Sequence, residues 1–187
     1  MKFLIVGLGN PGEQYLNTRH NIGFKVLEHV AKQADAFFTA EKYGDLCSFK
    51  YKGKHVFLLK PNTFMNLSGK AVNFWLIKEK ILNQNLLIIT DDINLPLGTL
   101  RMKNKGSDGG HNGLRSIQEN LSTTKYPRLR IGIGNDFVKG KQVDYVLGKW
   151  LMDESILIEK KLKSINEMIL SFCFNGLPNT MNNFNNT

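Results

Sequence analysis

Four segments of this 187-residue chain hold residue types able to activate water, stabilise an oxyanion or bind phosphate. The first runs from Asn10 to Asn21 and contains Tyr15, Arg19 and His20, between an apolar strand and a helix. This is where open α/β sheets place ligands, outside the carboxyl ends of their strands. An imidazole, with an unperturbed pKa of about 6.5, can take a proton from water near neutral pH. At the start of a helix the dipole opposes added positive charge, so His20 is expected to sit there as the neutral base. Asp91 ends the apolar run from Leu86 to Thr90. It either orients that imidazole, as the acid of a triad does, or caps the turn before Leu95-Pro96-Leu97-Gly98. The third segment, Pro61 to Gly69, sets amides beside Phe64 and Met65. Its plainer reading is a helix N-capped by Asn66, with Phe64 and Met65 in the core. The fourth, Gly106 to Leu114, is glycine-rich and enters a helix. Such a loop lets backbone approach a ligand, cradles phosphate, or simply moves.

A glycine fingerprint points elsewhere. Gly7-Leu8-Gly9-Asn10-Pro11-Gly12 matches the dinucleotide-binding G-x-G-x-x-G directly after a strand. In a working fingerprint the last glycine lies early in a helix, and an acid about 20 residues later binds ribose. Here Glu13 to Asn21 is polar and the helical apolar stripe starts only at Gly23, with no second strand ending in an acid at that distance. A dinucleotide-binding oxidoreductase is therefore a weak alternative. No G-x-S-x-G elbow is present, and Cys47 and Cys173 lie outside every motif and lack metal-ligand spacing. Attack by water requires no covalent nucleophile.

The elements that must position these groups follow from hydrophobic spacing. Phe3–Val6 and Leu86–Thr90 read as buried strands, and Leu46–Tyr51 with Lys54–Leu59 as a hairpin turning at Lys52-Gly53. Gly98–Lys103 and Arg128–Ile133 read as further strands. Helices are expected from Gly23, where Leu27, Val30, Ala31 and Ala34 share a face, across Asn66–Ile77, and from Asn112 to Asn120. A last long helix carries Ile158, Leu162, Ile165, Ile169 and Phe172, with Asp153 as its N-cap, until Gly176 and Pro178 interrupt it. The pattern predicts one α/β domain over 1–187, a mixed sheet flanked by helices, with 183–187 a frayed tail.

Composition narrows the class. The chain is 42% hydrophobic and 22% charged, a size at which one core suffices without disulfides. Nothing approaches the ~20 apolar residues of a membrane span, and the N-terminal apolar run is too short for a signal peptide, so a cytoplasmic globule is expected. The net charge is +9, and between Gly98 and Trp150 ten basic residues face only four acids. That concentration fits a polyanionic partner, most often nucleic acid, or else a solubilising surface.

Taken together and in order, the Gly7–Gly23 run, Phe64-Met65-Asn66-Leu67-Ser68-Gly69, Asp91-Asp92 with Leu95-Pro96, Gly109-Gly110-His111-Asn112-Gly113-Leu114 and Arg128-Leu129-Arg130-Ile131-Gly132-Ile133-Gly134 resemble the bacterial-type peptidyl-tRNA hydrolases over nearly the whole chain. Two positions depart from the family pattern: Asn94 where Asp usually precedes Leu-Pro, and Asp108 where a small residue is common. The resemblance implies hydrolysis of the ester joining peptide to the terminal ribose of tRNA, recycling tRNA from abandoned translation. It implies a monomer with a twisted mixed sheet between helices, and neither metal nor organic cofactor. By position it makes His20 the catalytic base, Asp91 its support and Asn10 a substrate-discriminating neighbour. Tyr15, Phe64, Asn66 and Asn112 fall at substrate-contact positions, and Lys103 and Arg130 at positions gripping tRNA phosphate. A non-catalytic tRNA- or ribosome-binding relative is the other reading of the same likeness.

Overall fold

In the computed structural model, residues 1–185 are described. Seven strands form a single sheet in the order β2-β3-β4-β1-β5-β7-β6. Its centre is parallel: β1 (Lys2–Gly7) lies between β4 (Lys54–Pro61) and β5 (Leu86–Asp92), and β5 pairs in turn with β7 (Lys125–Gly132). Both edges are antiparallel. β2 (Thr39–Glu41) and β3 (Gly44–Tyr51) extend one side, and β6 (Leu100–Lys105) closes the other against β7. The hairpin turn falls at Lys52 and Gly53, whose φ values of 44° and 75° give the left-handed pair that a two-residue connection requires.

The central strands are continuous apolar runs because helices cover both faces. Phe3, Ile5, Leu87 and Ile89 point to one layer, where they meet Val26, Leu27 and Val30 of α1 (Ile22–Gln33) and Ile158, Ile165 and Phe172 of α5 (Met152–Asn175). Leu4, Val6, Leu86 and Ile88 point to the other, against Ala71, Val72 and Trp75 of α2 (Ser68–Glu79) and Leu114 and Ile117 of α3 (Asn112–Leu121). This is the period-2 alternation of a strand buried twice. No described helix is long and apolar enough to cross a membrane.

The glycines of the fingerprint serve packing. A Cβ on Gly7 would stand 2.3 Å from the Gly23 carbonyl oxygen, and one on Gly23 would stand 2.3 Å from the Leu8 nitrogen. Bare backbone at both lets α1 lie directly on the end of β1. After Gly12 come two short 3-10 turns, Glu13–Tyr15 and Arg19–Asn21, and α1 begins only at Ile22. The helix therefore does not start within the glycine loop, as a dinucleotide fingerprint requires.

Three local expectations are corrected. The residue flanking α5 is Leu151, whose N–H donates to Glu154 Oε2 at 2.8 Å, and Asp153 lies inside the first turn. Asn66 does not cap α2, since it sits in a 3-10 turn, Met65–Leu67, that precedes the helix. The described part of the expected frayed tail is held in place: α6 (Leu177–Phe184) takes in 183 and 184, and Asn185 bonds the Met102 N–H and carbonyl at 2.8 and 2.9 Å, covering the edge strand β6. Asn186 and Thr187 lie outside the described residues. Two elements, β2 and the short α4 (Gln142–Val146), have no strong sequence pattern and are visible only in the fold.

Candidate active site at the carboxyl ends of β1 and β5

The register that pairs Gly7 with Ile89 brings the ends of β1 and β5 together, so the chain leaves β1 toward Asn10 beside the point where β5 reaches Asp91. A cleft of about 940 Å³ opens there, a size common for small-ligand sites. Asn10, His20, Phe64, Asn66, Asp91, Lys103, Asn112 and Arg130 all line it. Of the nine residues given roles by the family resemblance, Tyr15 alone is not part of this lining; its carbonyl accepts from the Thr18 hydroxyl and shapes the turn leading to His20.

His20 occupies a 3-10 turn, Arg19–Asn21, immediately before α1. Its Nδ1 lies 2.8 Å from Asp91 Oδ2. In the neutral ring Nδ1–H donates to the carboxylate, which leaves Nε2 as the free basic nitrogen. The other carboxylate oxygen, Oδ1, lies 2.9 Å from Nε2 of His111. The tautomer of His111 is set from its far side, where Nδ1 accepts from the N–H groups of Gly113 and Leu114 at 3.1 and 3.3 Å and thereby caps α3. Nε2 therefore carries the proton given to Asp91. His111 belongs to the site, and sequence reasoning gave it no role beyond membership of a glycine-rich loop. The available signal was its place directly before the first residue of α3.

Charge balance in this trio departs from the expectation of a neutral His20. Burial pulls the imidazole pKa down, but the Asp91 charge and hydrogen bond outweigh it and hold the value above 6.5. For Asp91, burial pushes up while the two imidazoles push down more strongly, and the carboxyl titrates far below its ordinary range. The carboxylate next door thus wins over burial. The His20, Asp91 and His111 ligand-type atoms lie within 4.8 Å of one another, which is also the spacing of a small metal set. Here each nitrogen already faces its own carboxylate oxygen, so two protons satisfy the cluster.

Asn10 is held on three sides. Its N–H donates to Asn21 Oδ1, its carbonyl accepts from Asn21 Nδ2, and its Oδ1 accepts from the Met65 N–H, at 2.9, 2.9 and 2.8 Å. Because Met65 supplies a donor, the side-chain oxygen is the bound end and the NH₂ group is the end left for a ligand. Asn66 and Asn112 are exposed, and neither side-chain amide makes a hydrogen bond among the described residues. Phe64, 54% exposed, adds an apolar face beside them.

The cations come from the far edge of the sheet. Across β6 and β7, Lys103 pairs with Arg128 and Arg101 with Arg130, so all four start from one face of the ribbon. Arg130 Nε is bonded to Asp92 Oδ2, while Lys103 has no acidic partner among the described residues. Arg128 is 2% exposed and points its guanidinium at the carbonyls of Ser107 and Thr124, at 3.1 and 3.2 Å, over the Tyr126 ring. It pins the glycine-rich loop where the sequence placed only a positive charge.

Comparison with known proteins shows the family. A sequence model described as peptidyl-tRNA hydrolase matches residues 4–187. A peptidyl-tRNA hydrolase of Parabacteroides distasonis is 54% identical over 186 residues, covering 100% of both chains. One from Bacteroides fragilis is 52% identical over 185 residues, covering 99% of each. Among solved structures, the peptidyl-tRNA hydrolase of Acinetobacter baumannii superposes with a TM-score of 0.92 at 34% identity, covering 98% of this chain and 94% of that one. With family model, relatives and fold in agreement over almost every residue, the chain belongs to the peptidyl-tRNA hydrolase family.

Proposed function

We propose that this protein hydrolyses the ester between the peptide and the terminal ribose of peptidyl-tRNA, in the cytoplasm and as a monomer, with His20 as the general base. The observation that carries the assignment is the 2.8 Å contact of His20 Nδ1 with Asp91, which orients the ring and frees Nε2 in the cleft. Nε2 takes a proton from water as the oxygen attacks the ester carbonyl. The tetrahedral oxyanion then collapses, and the ribose oxygen leaves with the proton from Nε2. Asp91 keeps the ring in one tautomer and stabilises the imidazolium that forms between these steps. General-base catalysis of this kind contributes about 10²–10⁴-fold.

The unpartnered amides of Asn66 and Asn112 supply N–H donors for the oxyanion, where losing one such donor costs roughly 10²–10³ in rate. Asn10 offers its NH₂ end, so it reads a carbonyl oxygen of the peptide linkage. A free aminoacyl ester has a charged amine at that distance from the ester, which has no lone pair to accept the bond. Lys103 and Arg130 contact phosphate, a mode that serves many tRNA sequences because it reads no bases. The residues assigned to the chemistry are protein side chains, and none of the steps calls on a metal or organic cofactor.

The test is release of peptide from an N-blocked aminoacyl-tRNA by wild-type and His20→Ala protein, with unblocked aminoacyl-tRNA alongside. Cleavage of the blocked substrate alone, lost in the variant while tRNA binding persists, is the expected result. A folded wild type that binds tRNA without cleaving it would leave only an RNA-binding role.

A further inference from the structure

Arg19 is the neighbour of the proposed base, yet it is absent from the cleft lining and only 6% exposed. Its Nη2 lies 2.7 Å from Glu154 Oε2 on α5, and its Nη1 donates to the carbonyls of Lys149 and Tyr145 at 3.0 and 3.3 Å. The guanidinium also lies over the rings of Tyr145 and Trp150, 4.4 and 5.6 Å from their centroids. Backbone contacts reinforce the same junction. The Arg19 N–H donates to the Gly148 carbonyl at 3.0 Å, the Trp150 N–H donates to the Asn17 carbonyl at 3.3 Å, and Thr18 forms an antiparallel bridge with Lys149. A Cβ on Gly148 would stand 3.0 Å from Nη1, so the glycine leaves the guanidinium its seat.

What this junction holds is the end of α4. That helix is only five residues long and has no buried residue, so core packing does not fix it. Yet Gln142, Val143, Val146 and Leu147 line the same cleft as His20 and Asn10. This segment is further anchored by Tyr145, whose hydroxyl donates to the Ile133 carbonyl at 2.6 Å and whose ring lies 4.9 Å from that of Phe137. A planar guanidinium that meets a carboxylate, two carbonyls and two ring faces at once defines position better than a flexible ammonium can.

We propose that Arg19 is a positioning residue for substrate binding: through Glu154 and the 145–150 backbone it sets where the α4 wall of the cleft stands. The inference rests on the reading that this cleft takes peptidyl-tRNA. Since no hydrogen bond or ion pair joins α4 to His20 or Asp91 among the described residues, loosening it acts on substrate affinity and leaves the chemical step intact.

The experiment compares wild type, Arg19→Lys and Glu154→Gln by steady-state kinetics on N-blocked aminoacyl-tRNA and by hydrogen exchange across residues 142–149. Expected are a KM raised about tenfold, a kcat within about twofold of wild type, and loss of amide protection at 142–149. Glu154→Gln keeps an oxygen for the Leu151 N–H and decides the matter by the same criteria if Arg19→Lys does not fold. A lowered melting temperature with unchanged KM makes Arg19 purely structural and overturns the proposal. A fall in kcat at constant KM overturns it too, by placing the effect on His20. An inactive wild type would overturn the hydrolase reading instead; tRNA affinity and exchange at 142–149 would then decide the role of Arg19, unchanged values in the variants refuting it.

Discussion

His111 Nε2 lies 2.9 Å from Asp91 Oδ1, so the carboxylate that supports His20 through Oδ2 is shared by a second imidazole. The far nitrogen of that ring caps α3, which couples the start of the helix bearing Asn112 to the base. Replacing His111 by Leu removes the second bond to Asp91. A hydrogen bond to a charged group is worth about 1.5–3 kcal/mol, and kcat near neutral pH should fall on the order of 10- to 100-fold. The carboxylate, no longer shared, then attracts a proton on His20 more strongly. The acid limb of kcat/KM should therefore move to higher pH, and an unmoved limb would deny His111 any influence on the base. Loss of the cap should also lower stability by about 0.5–2 kcal/mol.

The His20 pKa is raised by Asp91 against the downward pull of burial. In Asp91→Asn that support is gone and burial remains, so the His20 ring should titrate below 6.5, where the wild-type ring titrates above it. NMR of the imidazole C–H resonances reads both values directly. The sign for stability follows: the His20–Asp91 interaction contributes fully below the unfolded-state value of about 6.5 and is lost as pH rises through the folded one. The stability gap between wild type and Asp91→Asn should accordingly narrow from pH 6 toward pH 9. A constant gap would mean that His20 protonation is not linked to Asp91.

Asn10 separates two roles by atom. Asn10→Asp retains an oxygen for the Met65 N–H but replaces the NH₂ donor with a second acceptor. The loop should keep its place while the preference for blocked over unblocked aminoacyl-tRNA falls about tenfold or more. Relative kcat/KM on the two substrates measures this. An unchanged ratio would take discrimination away from the Asn10 amide.

Lys103 has no acidic partner among the described residues, whereas Arg130 is bonded to Asp92. Lys103→Ala should weaken tRNA binding and reduce the slope of log Kd against log salt by about one ion. Asp92→Asn, which frees Arg130, should tighten binding at low salt. Filter binding between 50 and 200 mM salt is the measurement. A flat salt response in wild type would make the cations ordinary surface charge.

Much of the scaffold was legible because it depends on near neighbours along the chain. Phe3–Val6 and Leu86–Thr90 have the form of buried strands, and the α1 and α5 stripes recur at helical spacing. The exposed three-residue β2 and the short α4 have no such pattern, and α6 is a helix whose Asn-rich composition reads as fraying. Family likeness reached His20, Asp91, Asn10, Asn66 and Asn112, and the cleft lining includes them all, while Tyr15 stands outside it.

By itself, then, the sequence determined the α/β class, the strands that end at the site and the residue types available for ester hydrolysis, because hydrophobic period and motif order are local properties. Only the tertiary structure decided what each polar group faces. His20 and Asp91 are 71 residues apart, and Arg19 and Glu154 are 135 apart. Such contacts exist only once the sheet has aligned its strand ends, and they fix what a local reading leaves open: Asp91 is shared between two imidazoles, the Asn10 side-chain oxygen is bound by the Met65 N–H, and Arg19 is tied to Glu154 and to the carbonyls of Tyr145 and Lys149.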